Sequence, residues 1–161
     1  MDISRQVLDE TPVGPLLLVA NDHALLQLCF MTQIALADRP AIVAECSENQ
    51  VIRQVRHELN EYFAGTRHRF EVPLELHGTP FQLEVWQALQ QIPWGKKVSY
   101  KQLAHWIDRP NASRAVGMAN NRNPIPIIIP CHRVIGSDGK LVGYRGGVIA
   151  KQKLLALEGA F

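Results

Sequence analysis

The sequence predicts an α+β protein in two parts, residues 1–76 and 77–161. Three observations carry that expectation. Two short apolar runs, GPLLLVA (14–20) and ALLQLCF (24–30), flank the turn residues Asn21, Asp22 and His23, the pattern of a β-hairpin. In QVIRQVRHELNEYFAG (50–65), Ile52, Val55, Leu59, Tyr62 and Phe63 recur at helical spacing. Past LHGTPF (76–81) the pattern changes to a series of helices, each opening on a Thr, Ser or Asn.

Taken in order, the first part reads as a small antiparallel sheet with one helix. Gly65 is placed to end that helix, because glycine takes the left-handed C-terminal position without steric cost. RFEVPLEL (69–76) then reads as a further strand, and His23, His57 and His68 as surface or packing residues. In the second part Thr79, Pro80 and Gln82 make a capping box for a helix burying Phe81, Val85, Ala88, Leu89 and Ile92. IPWGKKV (92–98) closes it. Ser99 and Gln102 open a second helix that turns Leu103, Ala104 and Ile107 inward, and DRP (108–110) breaks it. Asn111 is placed to cap a third, ASRAVGMAN (112–120). Two short helices and a tight turn resemble a helix-turn-helix. The second of them offers Ala112, Ser113, Ala115, Gly117 and Ala119, which read bases poorly but allow close approach to a narrow groove. Arg114 is its one long cation.

Composition narrows the function classes. With 47% hydrophobic and 20% charged residues, the chain reads as globular rather than disordered. MDISRQVLDETPVG lacks a basic leader and a long apolar core, and no run approaches the roughly 20 apolar residues of a membrane span, so a cytoplasmic protein is expected. Three scattered cysteines, Cys29, Cys46 and Cys131, make no disulfide framework and show no zinc spacing. The net charge is only +2, but residues 96–153 hold eleven Lys and Arg against two acids, Asp108 and Asp138. That asymmetry suits either a polyanion partner or an ordinary solvated face.

NPIPIIIPCHRVIG (123–136) carries the chemistry. A thiol attacks only as thiolate, and a free cysteine near pKa 8.5 needs a base or a positive environment to ionise. His132 is adjacent, but neighbours in an extended segment face opposite ways, so a bound water or a turn must connect the pair. Glu158 can orient the imidazole if the last helix folds back. Pro124, Pro126 and Pro130 stiffen the isoleucine run and fix where Cys131 emerges. A plain buried structural cysteine is the competing reading.

PCHRV after NPIPIII, with SRAVGMANNRNP ahead and GYRGG and KQKLLALEG behind, resembles the O6-alkylguanine-DNA alkyltransferase family of DNA repair proteins. The ordered motifs cover 78–161. ETPVGPLLLVAND and LNEYFAGTRHRFEVPL extend the likeness, more loosely, to bacterial members. The resemblance implies a ribonuclease H-like first domain and a winged-helix-like second domain carrying a helix-turn-helix. It implies a methylated-DNA–protein-cysteine methyltransferase that flips O6-alkylguanine, and O4-alkylthymine as a second substrate, out of duplex DNA. The alkyl group then passes irreversibly to Cys131, without cofactor or metal. His132 would be the base acting through water, Glu158 its orienting carboxylate, Asn123 the brace of the loop, and Tyr100 the proton donor to the departing guanine. Arg114 would fill the gap left by the flipped base, with Ser113, Ala115, Gly117, Tyr100 and Arg133 also at the DNA. Val134, Tyr144, Arg145, Gly146, Pro126 and Met118 would line the pocket. The carbonyls of Cys131 and Val134 would receive the base amine, and the Arg145 N–H would meet the guanine oxygen. A monomer gripping the minor groove is expected, with no membrane partner.

Arg145 departs from the small residue of many relatives. Where some bacterial members have Arg followed by Trp, this chain has Gly146. The long side chain bears on how bulky O6-alkyl groups fit. Two rival functions remain. Alkyltransferase-like lesion binders carry another residue, often Trp, at the cysteine position. A plain helix-turn-helix regulator would discriminate between DNA sequences. A cysteine hydrolase is disfavoured by the lack of an oxyanion motif.

Overall fold

The computed structural model describes residues 2–141 and 143–160, and the chain divides into two compact units between Glu75 and Leu76. In the first unit β1 (Ser4–Leu8), β2 (Leu16–Ala20) and β3 (Leu25–Phe30) form an antiparallel sheet in that order. The turn after β2 is made by Asn21, whose side-chain oxygen accepts from the N–H groups of His23 and Ala24, both at 2.8 Å. An Asn bonding its own backbone ahead competes successfully with strand pairing, so the hairpin turns there. A short helix, α1 (Arg39–Ala44), precedes α2 (Gln50–Phe63). Asn49 caps α2 by accepting from Ile52 N at 2.9 Å, and Gly65 ends it with φ at 81°. Ile52, Val55, Leu59 and Tyr62 are fully buried on its inner face, and Phe63 is half-buried.

RFEVPLEL is not a strand. It meets the sheet only at an isolated bridge between Leu25 and Leu74. The reason lies in Glu58, a buried carboxylate on α2 that accepts from Glu71 N at 2.9 Å and Val72 N at 3.2 Å. Pro73 has no N–H to offer, so the donors a ladder would need are spent or missing. β1 and α1 carry no strong sequence pattern and went unanticipated.

The second unit opens with α3 (Pro80–Leu89), capped by the Thr79–Gln82 box. Then β4 (Val98–Ser99) leads straight into α4 (Tyr100–Trp106), capped by the Ser99–Gln102 box. α5 (Ser113–Asn121) packs against α3 and α4, and Trp86 Nε1 ties α3 to it by donating to Ala119 O at 2.8 Å. Asn111 does not cap α5. A backbone bond from Ala112 N to Arg109 O, 2.9 Å, closes the preceding turn and leaves Ala112, which has no side-chain acceptor, at the cap. β5 (Val134–Ile135) pairs in parallel with β4, and α6 (Val148–Leu157) completes the unit. Among the described residues no helix is long and apolar enough to cross a membrane.

Candidate active site

The isoleucine run ends in the site because its backbone is pinned twice. Asn123 Nδ2 donates to Ile129 O at 2.7 Å, and Asn123 Oδ1 accepts from Ile125 N at 2.9 Å. Ile129 N donates back to Ile125 O at 2.9 Å, closing the loop on itself. At its centre Ile127 has φ at 75°, a left-handed conformation that a β-branched residue resists at a cost on the order of 1–3 kcal/mol. Burial of Ile125, Ile127 and Ile129 in the core holds it there.

Cys131, His132 and Arg133 then form a single 3₁₀ turn, and all three are buried. The extended geometry that would send neighbouring side chains apart is thus absent, and His132 and Arg133 reach the same carboxylate. His132 Nε2 lies 2.8 Å from Glu158 Oε2. Arg133 grips that carboxylate in a fork, Nε to Oε1 at 2.8 Å and Nη2 to Oε2 at 2.9 Å, while Nη1 donates to Ile92 O. The expectation that Arg133 meets DNA therefore fails: its guanidinium faces inward, and its donors are committed to Glu158 and α3's exit. Glu158 sits just past the end of α6, so this helix is what brings the carboxylate back to the turn.

Electrostatics follow from this packing. Burial opposes ionisation of Glu158, but hydrogen bonds from His132 and Arg133 outweigh it and hold the carboxyl at about 2. Burial lowers the pKa of His132, against the pull of Glu158, so the imidazole rests neutral. Burial pushes the Cys131 thiol up to about 11, opposed by a hydrogen bond from Asn123 and by the charges of Lys151 and Arg145. The thiol is therefore protonated at rest. Among the described residues His132 Nδ1 is buried without a hydrogen-bond partner, the position a base needs for receiving that proton.

Tyr100, at the start of α4, is half-buried. Burial raises its phenol, and the charge of Cys131 acts in the same direction, which places it within electrostatic reach of the thiol. A Cβ at Gly117 would lie 3.7 Å from the Tyr100 ring, an ordinary packing contact, which puts the ring against α5. Arg114, Ala115 and Met118 are exposed on α5, while Val116, Ala119 and Asn120 face the core, and Ser113 and Gly117 lie between. Pro126 is buried, Tyr144 and Gly146 are half-buried, and Arg145 is exposed.

Two polar residues in the site were missed from the sequence. Asn120 Nδ2 donates to Cys131 O at 3.4 Å. Lys151 Nζ donates to Val134 O at 2.6 Å. The carbonyls expected to receive a base amine are thus already engaged: Cys131 O accepts from Asn120 Nδ2 and from Val134 N, and Val134 O accepts from Lys151. The signal was available: Lys151 falls on the apolar stripe of α6 with Leu154 and Leu155, and Asn120 on that of α5 with Val116.

A two-unit α+β chain with a buried thiol–imidazole–carboxylate turn beside a helix-turn-helix defines a cysteine-based, nucleic-acid-directed class of protein. Residues 6–76 match 6-O-methylguanine DNA methyltransferase, ribonuclease-like domain, and residues 80–160 match 6-O-methylguanine DNA methyltransferase, DNA binding domain. The chain belongs to the 6-O-methylguanine DNA methyltransferase family. It is 49% identical over 150 residues to a methylated-DNA–protein-cysteine methyltransferase of Methanosarcina barkeri, covering 92% of this chain and 93% of that one. A Mycobacterium leprae protein of the same name is 45% identical over 149 residues, covering 92% and 88%. The crystal structure of Mycobacterium tuberculosis O6-methylguanine methyltransferase superposes with a TM-score of 0.87 at 42% identity, covering 99% and 94%. The same organism's protein in complex with DNA gives 0.85 at 42%, covering 98% and 93%.

Proposed function

We propose that the chain is a DNA repair alkyltransferase that moves the alkyl group of O6-alkylguanine in duplex DNA onto its own Cys131, once per molecule. O4-alkylthymine is a second, related substrate. The observation that carries this is the buried Cys131–His132–Glu158 turn, with its unpartnered His132 nitrogen, in a chain of this family. A lesion binder without transfer would have no use for that nucleophile.

In the reaction, the Cys131 thiol proton passes to His132 Nδ1 through a bridging water, and Glu158 holds Nε2 so that the ring accepts on the correct side. The sulfur pair forms the S–C bond to the alkyl carbon as the C–O6 bond breaks. Its electrons stay on the guanine oxygen, which is neutralised by a proton from Tyr100, and the imidazolium returns a proton to the phenolate. Guanine leaves restored, and the thioether is permanent. The base must leave the stack for this, at a cost of a few kcal/mol that a poorly pairing lesion reduces. α5 enters the minor groove with its small residues, and Arg114 occupies the vacated stack. One chain supplies every residue of this scheme, so it acts as a monomer, and the free thiol suits the reducing cytoplasm.

The test is to incubate the protein with a duplex holding one O6-methylguanine and map the adduct by peptide mass. The peptide containing Cys131 gains one methyl group. Cys131→Ala binds the duplex and gains none. If wild-type protein leaves that peptide unmodified, the reading is wrong. Arg114→Ala is expected to slow single-turnover transfer on duplex about tenfold, since about 1.4 kcal/mol of the flipping cost would no longer be offset. Transfer from the free base should stay unchanged. An unaltered duplex rate refutes the role given to Arg114.

A further inference from the structure

Asn120 stands inside the site and has no part in the scheme above. It faces inward from the last turn of α5, with only 2% of its surface exposed. A primary amide offers two N–H donors and an oxygen with two lone pairs, and a buried polar group left unpaired costs about 1–3 kcal/mol. Nδ2 donates to the Cys131 carbonyl at 3.4 Å. Oδ1 is buried and has no hydrogen-bond partner among the described residues. Val116 and Ala119, buried on the same helix, show what packing alone asks of this face.

The amide has a second neighbour. Gly117 lies one turn earlier on α5, and a Cβ there would meet the Tyr100 ring at 3.7 Å. Residues three apart share a helix face, so a ring lying against Gly117 can bring its hydroxyl to Asn120. The two side chains are hydrogen-bonded, in a sense that lowers the Tyr100 phenol while burial and the Cys131 charge raise it. Only a donor lowers a phenol, by holding its phenolate, so Nδ2 makes this contact and Oδ1 does not. One nitrogen therefore joins the carbonyl of the nucleophile to the hydroxyl of the acid.

We infer that Asn120 is a positioning residue for proton donation by Tyr100: its Nδ2 holds the phenol oxygen, so that the hydroxyl proton points away from the amide and towards the incoming base. The inference rests on the alkyl-transfer reading at Cys131.

The orientation of the amide is what matters. Turned over, Asn120 would present Oδ1 to Tyr100, and that oxygen would take the hydroxyl proton for itself. The Cys131 carbonyl prevents the turn, because it can only accept and so must face Nδ2. The lone pairs of Oδ1 stay without a donor as a consequence. Asn123, the other buried amide of the site, cannot substitute, since its oxygen and nitrogen are bonded to Ile125 N and Ile129 O. When Tyr100 gives its proton to the guanine oxygen, the bond from Nδ2 remains on the phenolate. It strengthens as charge develops there, so it stabilises the transition state more than the resting phenol. The imidazolium then returns a proton to the phenolate, and the amide ends as it began.

The experiment is a double-mutant cycle on single-turnover methyl transfer from an O6-methylguanine duplex. It compares wild type, Asn120→Leu, Tyr100→Phe and the two substitutions combined. Leu keeps the branched shape of Asn without a donor or an acceptor. Asn120→Leu is expected to slow transfer about tenfold or more where Tyr100 is present, the effect of losing a hydrogen bond to a charged group. In the Tyr100→Phe background the same change should cost less than about twofold, because the amide acts through the phenol. Alkylation of Cys131 by iodoacetamide, whose iodide leaves without a proton, should be the same in wild type and Asn120→Leu. Asn120→Ala repeats the cycle should Leu lower the melting temperature. A structural role exerted through the Cys131 carbonyl would slow alkylation and transfer alike, by one factor in both backgrounds, and that result overturns the inference. Equal transfer by wild type and Asn120→Leu overturns it too. A wild type that leaves Cys131 unmethylated removes the alkyl-transfer reading and the inference together. A wild type that transfers, with no coupling between Asn120 and Tyr100, removes the inference alone.

Discussion

Arg133→Met is expected to destabilise the second unit by about 3–5 kcal/mol at neutral pH, because it strands the Glu158 carboxylate in the interior without the guanidinium charge that faces it. In the wild-type chain the guanidinium closes a fork on that carboxylate and bonds Ile92 O, joining the catalytic turn to the exit of α3. The effect has a pH signature whose sign is fixed by the native pKa. Glu158 is held at about 2 in the folded chain, below the ordinary carboxylate value of about 4.3. Its favourable contribution is therefore complete above that ordinary value and disappears as pH falls towards 2. In Arg133→Met the folded-state pKa rises, since the guanidinium no longer donates to the carboxylate. The stability gap between the two proteins should be widest near pH 7 and narrow as pH drops below about 5. Urea unfolding at a series of pH values measures it. A gap of constant size would mean that lost packing, not a stranded charge, accounts for the change.

The same residue shows where sequence reading stops. Cys131, His132 and Glu158 were legible because nucleophile, base and carboxylate imply one another chemically, and the family likeness placed them. Arg133 was not, since an arginine beside an active-site motif in a basic segment reads equally well as a phosphate contact. Only the 3₁₀ turn, which no periodicity announces, decides that its side chain points inward with that of His132. Helix starts were legible where the cap is a side chain, as at Thr79 and Ser99, and illegible where backbone makes the turn, as before Ala112. RFEVPLEL failed for a related reason. Its apolar alternation is real, but the carboxylate of Glu58, distant in sequence, takes the N–H groups that a neighbouring strand would have used. Lys151 is legible as a cation on the apolar stripe of α6, a placement that costs desolvation.

These positions form one coupled design. The pinned Ile125–Ile129 loop fixes the turn, α6 delivers both Lys151 and Glu158, and α5 delivers Asn120 to the Cys131 carbonyl. A resting thiol at about 11 is mostly protonated at neutral pH, which protects it from casual alkylation until a base takes the proton.

That protection gives the second large effect. His132→Gln is expected to reduce single-turnover transfer at pH 7 by about 10²–10⁴, the usual contribution of a positioned base, while Gln retains a donor for Glu158. The thiol then has to ionise unaided, and its native value of about 11 makes that rare at neutral pH. The wild-type chain does not share this handicap, because burial keeps His132 neutral and ready to accept a proton. Raising the pH supplies the variant with thiolate but gives the wild type little it lacks. The ratio of the two rates should therefore shrink as pH rises from 7 towards 10. Rapid-quench transfer on a duplex with one O6-methylguanine, followed across that range, reads the ratio directly. A ratio that stays constant would remove His132 from proton transfer and leave it only as a partner that holds Glu158 in place.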